Sequence, residues 1–280
     1  MIWMVITEEE MTGPFLVFRF NEEALGRENI RLAIVSEDDN LDFVKRDDII
    51  ISRTFKERLI NTILSKGVKT TAETYSKYML VSDKLMLSSF LKENGIRVPK
   101  VYNKSEIEDG KVYFIKPRYG ADSVGISEDC ICKTKAEAYE KIEEFEKSNQ
   151  HVIIEEYIDG VDSTISCFLT EGIVCTYAID VYNQNEGGIQ TEYSKEHFVE
   201  YCQALNDDSI KQIAIEVFLL LGIKHHARID FRRDKYGKYY LIDVNLLPGL
   251  GPTAHLAKSM LLSENISYID AMKKIVESAN

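Results

Sequence analysis

The sequence contains few of the residues that cross-link or interrupt a chain, with five prolines, five cysteines and one tryptophan among 280 residues. The cysteines are odd in number and none stands in a C-x-x-C pair, so neither a disulfide framework nor a zinc knuckle is indicated. We expect free thiols in a reducing cytoplasm. No apolar run approaches the roughly 20 residues that span a bilayer. The short apolar stretch at residues 1–7 precedes three glutamates, which favours a β-strand over a signal peptide.

Positive charge is also scarce, with 34 lysines and arginines against 46 acidic residues and a formal net charge of −12. Nucleic acids and anionic membranes bind through clustered lysine and arginine, so this balance argues against both as partners. Hydrophobic residues make up 45% of the chain and charged residues 29%. These proportions are typical of a folded globular protein with room for two or three subdomains.

Hydrophobic periodicity and turn residues divide the chain into short elements. In the first part, residues 1–76, we predict a small α/β unit with strands at 15–20, 31–36 and 48–52 and a helix at 56–65. A longer helix is predicted from 74 to 93, because Asn94-Gly95 is a common helix end and Pro99 follows shortly after.

The rest of the chain mixes hairpins with helices. We predict strands at 112–116, 151–155, 163–169 and 173–181, helices at 135–148 and 208–221, a hairpin of 227–233 and 239–244, and two terminal helices. The polar segment 182–196 has no periodicity and is predicted to be a mobile loop, whereas His225-His226 is predicted to be partly exposed. The mixture favours α+β layers rather than a doubly wound parallel sheet.

The predicted hairpin near the carboxyl end carries polar side chains at spacings that suit a metal ion. Asp243 and Asn245 are two residues apart on one strand, and Arg228 and Asp230 are two apart on the other, so each pair shares a face. Pairing the strands can gather Asp230, Asp243 and Asn245 as three oxygen ligands for Mg²⁺. The alternative is a half-exposed hairpin whose polar face meets solvent.

Two further segments suit a nucleotide. Lys116 ends a strand and precedes a loop, 117–125, that contains glycines at 120 and 125, so the lysine and the loop amides can hold phosphate. The loop lacks the G-K-[ST] ending of a Walker A motif, and an ordinary turn is the alternative. The apolar strand before Glu155 and Glu156 runs into a turn and can bracket a flat base, although solvated acids at a strand end are the alternative.

Taken together and in this order, the segments between residues 82 and 248 resemble the ATP-grasp superfamily, and within it the D-alanine–D-alanine ligases. The matching stretches are Ser82-Asp83-Lys84 with Asn94-Gly95 and Pro99, Lys116-Pro117 with Ser123-Val124-Gly125, Ile154-Glu155-Glu156-Tyr157-Ile158, Arg228-Ile229-Asp230-Phe231, and Asp243-Val244-Asn245 with Pro248-Gly249. The last two stretches together match one family motif. Each motif is loose by itself, but four in the right order and spacing are hard to obtain by chance.

The resemblance implies an α+β fold of the ATP-grasp type, in which two α+β subdomains sandwich ATP, preceded by a small α/β pre-ATP-grasp domain. The corresponding division is 1–76 for the small domain and 77–280 for the ATP-grasp domain, with 77–162 as the ATP-lid subdomain and 163–280 as the metal and substrate subdomain. The resemblance is also compatible with a homodimer.

The resemblance also implies roles for individual residues. Arg228 and Ser123 are implied as catalytic residues, with Arg228 clamping the transferred phosphate and the tetrahedral intermediate. The implied nucleotide contacts are Lys84 and Lys116 to phosphate, Ser123 in the loop, Glu155, Tyr157 and Ile158 around adenine, and Asp162 at the ribose. The implied ligands of Mg²⁺, or of Mn²⁺ in its place, are Asp230, Asp243 and Asn245.

Several departures from the family pattern concern the substrate rather than ATP. Asp243 stands in place of the usual Glu, and Ala121-Asp122 in place of Gly-Ser. The loop at 250–255 lacks the serine that grips the second D-alanine. The first 76 residues lack the family's glycine-rich, Glu-bearing loop, and their stretch 48–53 is more similar to the RimK- and LysX-type ligases.

The resulting hypothesis is a cytoplasmic ligase that activates a small carboxylic acid as an acyl phosphate and transfers it to a small amine. Lys195, Tyr193 and His255 are further candidates for substrate contacts. Two alternatives stay open: an ATP-grasp phosphotransferase that only phosphorylates its substrate, and a nucleotide-binding regulatory module without catalysis. The identities of the acid and the amine are not indicated by the sequence.

Overall fold

The computed structural model describes residues 1–10, 14–120, 123–185, 187–191, 193 and 200–279. This part of the chain forms three β-sheets, of four, five and four strands, with helices packed on them. None of the helices within it is long and apolar enough to cross a membrane. The mixed class with largely antiparallel sheets agrees with the α+β prediction, whereas the domain boundaries after residues 76 and 162 stay predictions.

The amino-terminal sheet is parallel, with strand order β2-β1-β3-β4. Its elements are β1 (Ile2–Thr7), α1 (Pro14–Leu25), β2 (Ile30–Val35), β3 (Ile49–Ser52), α2 (Glu57–Ser65) and β4 (Lys69–Thr70). Successive side chains of a strand point to opposite faces, so Val5 packs with Leu59 of α2 while Met4 joins a core on the other face. The sheet is therefore covered on both faces, as parallel sheets usually are.

Residues 15–20 lie in helix α1, so the strand predicted there is wrong. An apolar run of this length fits a buried strand and a buried helix equally well. Pro14 suits the first turn of a helix, and Phe18 and Asn21, three residues apart, are both buried. The hydroxyl of Tyr268 donates to Asn21 Oδ1 at 2.5 Å from 247 residues away. Long-range packing, which no local pattern reports, decides the element.

The helix predicted over residues 74–93 is two helices, α3 (Tyr75–Ser82) and α4 (Lys84–Glu93). Asp83 between them is extended, with φ −91° and ψ 96°, and its carboxylate accepts hydrogen bonds from the amides of Leu85 and Met86. Arg118 also donates to this carboxylate, at 2.8 and 2.6 Å. Asp83 is thus the N-cap of α4 rather than a mid-helix residue.

A small antiparallel sheet, the lid sheet, follows with strand order β5-β8-β6-β7. Its elements are β5 (Val101–Tyr102), β6 (Tyr113–Pro117), β7 (Ile131–Cys132), α5 (Lys135–Lys147) and β8 (Val152–Glu156). Helix α5 packs on it through Ile142 and Phe145, against Tyr113 and Ile115. Strands β6 and β8 are paired and carry Lys116 and Glu155, which lie opposite Ile153 and Phe114 respectively.

The central sheet is antiparallel, with strand order β11-β10-β9-β12-β13. Its elements are β9 (Gly160–Thr170), β10 (Ile173–Asn183), β11 (Glu200–Ala204), α6 (Asp208–Leu220), β12 (His226–Asp234), β13 (Tyr239–Asn245), α7 (His255–Glu264) and α8 (Tyr268–Glu277). Strand β11 was not predicted from the sequence. Only residues 182–185, 187–191 and 193 of the predicted mobile loop are described, and the first two of them extend β10.

The central sheet connects the other parts through its two faces. One face packs with α3, α4 and α6 in a core that contains Leu91, Ile165 and Phe218. The other packs with α7, α8 and the amino-terminal sheet, where Phe168 and Met260 meet Met4. His225 and His226 are buried at the start of β12, so the prediction that they are partly exposed is wrong.

Candidate active site

A cavity between the lid sheet and the central sheet collects almost every residue that the resemblance singled out. Its lining includes Lys84, Lys116, Ser123, Glu155, Tyr157, Ile158, Asp162, Arg228, Asp230 and Asp243. The remaining predicted residue, Asn245, lines an adjoining cavity together with Asp243. We call the first the nucleotide cavity. The sequence motifs are therefore spatial neighbours, although the roles assigned to them stay predictions.

The oxygen-bearing side chains of the hairpin come together as the strand pairing predicts. Asp230 and Asp243 are direct partners in the register of β12 and β13, and Arg228 is opposite Asn245. Asp230 accepts hydrogen bonds from Thr164 Oγ1 at 2.9 Å and from Arg228 Nε at 3.1 Å. Asn245 Oδ1 accepts from the amide of Leu247 at 2.8 Å. The alternative of a hairpin whose polar face meets only solvent does not hold.

Asp243 differs from its neighbours because its carboxylate forms no hydrogen bond or ion pair with any residue in the described ranges. Burial raises its pKa, against the positive charge of nearby Lys84. A partly buried carboxylate without a partner is costly. A divalent cation that prefers carboxylate and amide oxygens, such as Mg²⁺ or Mn²⁺, matches this donor set. The residues present therefore fit the metal that the resemblance implies.

Two lysines face these acids. Lys116 Nζ lies 2.8 Å from Glu155 Oε2, and both side chains are buried. Lys84 Nζ donates to the carbonyl of Gly120 at 2.6 Å. Burial lowers the pKa of Lys84, and the negative charge of Asp243 opposes that shift. Both lysines thus present positive charge to one cavity, where phosphate groups would find it.

The loop after β6 closes one side of the nucleotide cavity. Ser123 has φ 59° and its carbonyl accepts from the amide of Ile126 at 2.9 Å. Gly125 has φ 73°, and a Cβ atom there would lie 3.2 Å from Pro117 Cγ. The loop therefore folds back on its own strand in a conformation that favours glycine. Ala121 and Asp122, where the sequence departs from the family, lie outside the described residues.

The segment between β8 and β9, the hinge at residues 157–159, is held by an arginine that was not among the predicted site residues. Arg232 donates to the carbonyl of Ile158 at 2.6 Å and to Asp162 Oδ1 at 2.7 Å. It also donates to the carbonyls of Gly187 and Gly188 at 2.7 and 2.9 Å. The spacing contained a signal, since Arg232 follows Arg228 and Asp230 at intervals of two and shares their face.

Of the further candidates, His255 lines the nucleotide cavity, at the first turn of α7. Its Nε2 lies 2.9 Å from Glu200 Oε1, and Lys258 Nζ lies 2.6 Å from the same oxygen. Although burial opposes the charged form, these two partners lower the pKa of Glu200 to about 2. Tyr193 is exposed and lines a separate surface groove, and Lys195 lies outside the described residues.

The adjoining cavity, which we call the apolar cavity, has a volume of about 680 Å³. It lies between the amino-terminal sheet, α3 and the loop after β13. Gly120 and Asp243 line both cavities, so the two spaces meet at the candidate metal site. Apart from Asp243 and Asn245, none of the residues that line this second cavity was predicted as a site residue.

The comparisons with known proteins agree with this geometry. The family model described as D-ala D-ala ligase C-terminus matches residues 89–277. The D-alanine–D-alanine ligase of Francisella philomiragia is 25% identical over 224 residues, which cover 76% of this chain and 72% of that protein. The corresponding enzyme of Francisella tularensis subsp. novicida is 22% identical over 220 residues, with the same two shares.

Solved structures support the fold. The D-alanine–D-alanine ligase of Bacillus anthracis complexed with ATP superposes with a TM-score of 0.76 at 19% identity, covering 99% of this chain and 96% of that one. The VanG D-Ala:D-Ser ligase of Enterococcus faecalis gives a TM-score of 0.72 at 15% identity, covering 98% of each chain. The ATP-grasp fold expected from the sequence is confirmed.

Proposed function

The chain belongs to the D-alanine–D-alanine ligase family, and from this premise we propose what each of its two cavities binds and how the reaction proceeds between them. It is an ATP-dependent ligase that joins the carboxylate of one small molecule to the amine of another. The relatives are named for D-alanine, and whether this chain uses the same amino acid depends on its own cavities. We place the reaction in the cytoplasm, where ATP is available.

The observation that carries the proposal is that Lys84, Lys116, Arg228, Asp230 and Asp243 all line the nucleotide cavity. ATP enters with its phosphates between Lys84, Lys116 and the acids of the hairpin. Lys116 exchanges its ion pair with Glu155 for phosphate oxygens, which releases Glu155 to accept from the adenine amino group. Positioning and charge neutralisation of this kind carry most of the catalysis in phosphoryl transfer.

In the first step a carboxylate oxygen of the acid attacks the γ-phosphorus, ADP leaves, and an acyl phosphate forms. Bound at Asp230, Asp243 and Asn245, Mg²⁺ or Mn²⁺ would supply positive charge to the phosphate oxygens. Arg228 stays within reach of the transferred group because its guanidinium is held by Asp230, with Nη2 at 2.9 Å from Oδ2.

In the second step the amine nitrogen attacks the acyl carbon, phosphate leaves and a proton is lost from nitrogen, which yields the amide. Arg228 stabilises the oxyanion that develops on the acyl oxygen. The loop around Ser123 and the hinge tied down by Arg232 cover the nucleotide side, so water has less access to the acyl phosphate.

The test is ADP formation with pairs of acids and amines, D-alanine included, with products followed by mass spectrometry. We expect equal amounts of ADP and amide, and an Asp230→Asn variant that is slower by a factor of about 10² to 10³. The matched control is Asp42→Asn, which should match the wild type because the Asp42 side chain is 89% exposed.

The two alternatives give different results in the same assay. ADP together with a phosphorylated acid and no amide, with any amine, would indicate a phosphotransferase. Binding of ATP without turnover for any pair would indicate a regulatory module. Full activity of Asp230→Asn would contradict the site assignment itself.

A further inference from the structure

The apolar cavity is lined mainly by hydrophobic side chains from separate parts of the chain. They include Met4 and Ile6 of β1, Val17 of α1, Tyr78 and Met79 of α3, and Leu250 after β13. Residues this far apart in sequence are brought together by the packing of the amino-terminal sheet on the central sheet. The result is an apolar space of about 680 Å³, within the range of about 300 to 1,000 Å³ that is usual for ligand sites.

One acidic side chain of this cavity, Glu10, accepts hydrogen bonds from neighbouring residues of the cavity wall. Glu10 Oε2 accepts from Thr7 Oγ1 at 2.7 Å, and Glu10 Oε1 accepts from Thr54 Oγ1 at 3.0 Å and from the amide of Phe55 at 2.9 Å. Glu10 therefore joins the end of β1 to the segment after β3. Its hydrogen bonds support the wall of the cavity.

The other two charged groups outside the metal site are also held by protein partners. Glu9 is paired with Lys56 at 2.6 Å, and its side chain is 78% exposed. Arg53 donates to the carbonyls of Pro248 and Leu247 at 2.9 and 3.1 Å, so it fastens the loop after β13 to the amino-terminal sheet. A ligand bound inside the cavity would therefore contact mostly hydrophobic side chains.

The end of the cavity that carries Asp243 and Asn245 is polar, and it determines how such a ligand is oriented. Asp243 lines both cavities and Asn245 lines the apolar cavity, and the proposed function puts the reacting carboxylate next to them. The rest of the acid then extends away from the nucleotide, along Met79 and Tyr78 towards Val17. On the basis of the proposed function, we infer that the acid substrate is a carboxylic acid with a large branched aliphatic or aromatic side chain.

An alanine side chain would fill only a small part of the apolar cavity. Its methyl group would contact one part of the wall and leave the remainder to water, whereas a leucine or phenylalanine side chain removes far more apolar surface from water. A single extra methylene in a matching pocket changes kcat/KM by a factor of about 10 to 200. We therefore expect leucine or phenylalanine to exceed alanine by at least about tenfold in kcat/KM.

The test measures the acid alone, because hydroxylamine can stand in for the unknown amine. With ATP and Mg²⁺ the acid forms an acyl phosphate. The nitrogen of hydroxylamine then bonds to the acyl carbon, the carbon–oxygen bond to phosphate breaks, and a nitrogen proton passes to water. The hydroxamate is quantified for both enantiomers of alanine, leucine and phenylalanine, and for the same acids without the amino group. Activity only with the amino acids would assign the substrate to that class, and activity with both would assign the apolar acid in general.

A matched pair of variants tests the cavity itself. Met79 lines it and is 44% exposed, whereas Met86, on the neighbouring helix, is 53% exposed and lines neither cavity. Met79→Trp narrows the space and should lower kcat/KM for leucine and phenylalanine by at least about tenfold relative to alanine. Met86→Trp should leave the preference unchanged.

The outcomes separate this inference from the proposed function. Hydroxamate from alanine that equals or exceeds that from leucine and phenylalanine overturns the inference and leaves the ligase standing. An unchanged preference in Met79→Trp also overturns it. Absence of hydroxamate with every acid overturns the ligase proposal and the inference with it.

Discussion

The two cavities that meet at Asp243 are built in opposite ways. In the nucleotide cavity the charged side chains are paired across short distances, with Lys116 on Glu155, Arg228 on Asp230 and Arg232 on Asp162. In the apolar cavity hydrophobic side chains from distant segments enclose a volume. The nucleotide cavity therefore depends on individual partners, whereas the apolar cavity depends on shape.

The pairs in the nucleotide cavity contribute little to stability, because burying two charges costs about as much as their attraction returns. The placement of Lys116 and Glu155 is better explained by ligand binding, in which phosphate becomes the partner of the lysine and adenine the partner of the glutamate. Asp243 supports this explanation, since it has no protein partner among the described residues at all. The comparison therefore predicts that single charge changes in the nucleotide cavity act strongly and specifically.

The largest effect is expected for Arg228→Ala. Removing the guanidinium takes away the charge that faces the transferred phosphate and the oxyanion, so kcat should fall by a factor of about 10³ to 10⁵, as for other arginines that stabilise phosphoryl transfer. Steady-state kinetics with the preferred acid measure this directly, and ATP binding measured by calorimetry shows whether the site still forms.

The matched control is Arg233→Ala on the same strand, because Arg233 pairs with Asp180 and lines neither cavity. We expect its kcat to stay within about threefold of the wild type, because Arg233 lies outside both cavities, whereas the loss of its ion pair with the buried Asp180 should lower the free energy of unfolding. Equal losses in the two variants would show that β12 as a whole, and not the guanidinium of Arg228, supports the reaction.

A smaller effect is expected for Arg232→Met, and it should appear in stability and ATP affinity rather than in chemistry. The substitution removes the donor that Arg232 provides to the Asp162 carboxylate, to the hinge carbonyl of Ile158 and to the carbonyls of Gly187 and Gly188. Breaking one side of a buried ion pair usually costs about 3 to 5 kcal/mol of the free energy of unfolding. Urea unfolding and the KM for ATP are the measurements.

The double variant Arg232→Met, Asp162→Asn separates the charge from the packing. Replacing the Asp162 carboxylate, which has lost Arg232, should recover part of the lost free energy of unfolding, because burying the neutral amide costs less than burying a charge. If the double variant were as unstable as the sum of the two single variants, the Asp162–Arg232 pair would not be the source of the effect.

The difference between the cavities also explains how much of the site could be predicted. The oxygen ligands lie on two adjacent strands, and their spacing of two residues is enough to place them on one face of the hairpin. Lys116 and Glu155 stand on adjacent antiparallel strands, opposite Ile153 and Phe114 respectively. Each of these motifs lies within a short stretch of sequence and can be recognised there. Their order along the chain matches the order in the family that the sequence resembles.

The rest depended on contacts that a local pattern does not contain. Helix α1 was mistaken for a strand because its partner, Tyr268, is 247 residues from Asn21. The break at Asp83 is held by an ion pair with Arg118, which follows β6 of the lid sheet. The apolar cavity takes its walls from both ends of the chain, so no spacing rule could have assembled it. Arg232 is the intermediate case, with a visible spacing but partners that only the fold supplies.

The smallest effect is expected for Glu200→Gln, at the edge of the nucleotide cavity beside His255. Glu200 accepts from His255 and Lys258, and leaving these partners without a carboxylate should lower the free energy of unfolding by about 1 to 3 kcal/mol at neutral pH. Urea unfolding measures the loss. Glu143→Gln, at an exposed position, should change it by no more than about 0.5 kcal/mol.

The pH dependence of that loss identifies its cause. The pKa of Glu200 is lowered from 4.5 to about 2 in the folded protein, so the folded state favours the carboxylate. Its stabilising effect is complete above the unfolded pKa and disappears as the pH falls from 4.5 towards about 2. The difference between wild type and Glu200→Gln should therefore be smaller at about pH 3 than at about pH 6. A difference that stays constant over this range would mean that the loss of stability comes from altered packing and not from the charge of Glu200. Glu200 would then not be an example of a charged side chain that depends on its partners.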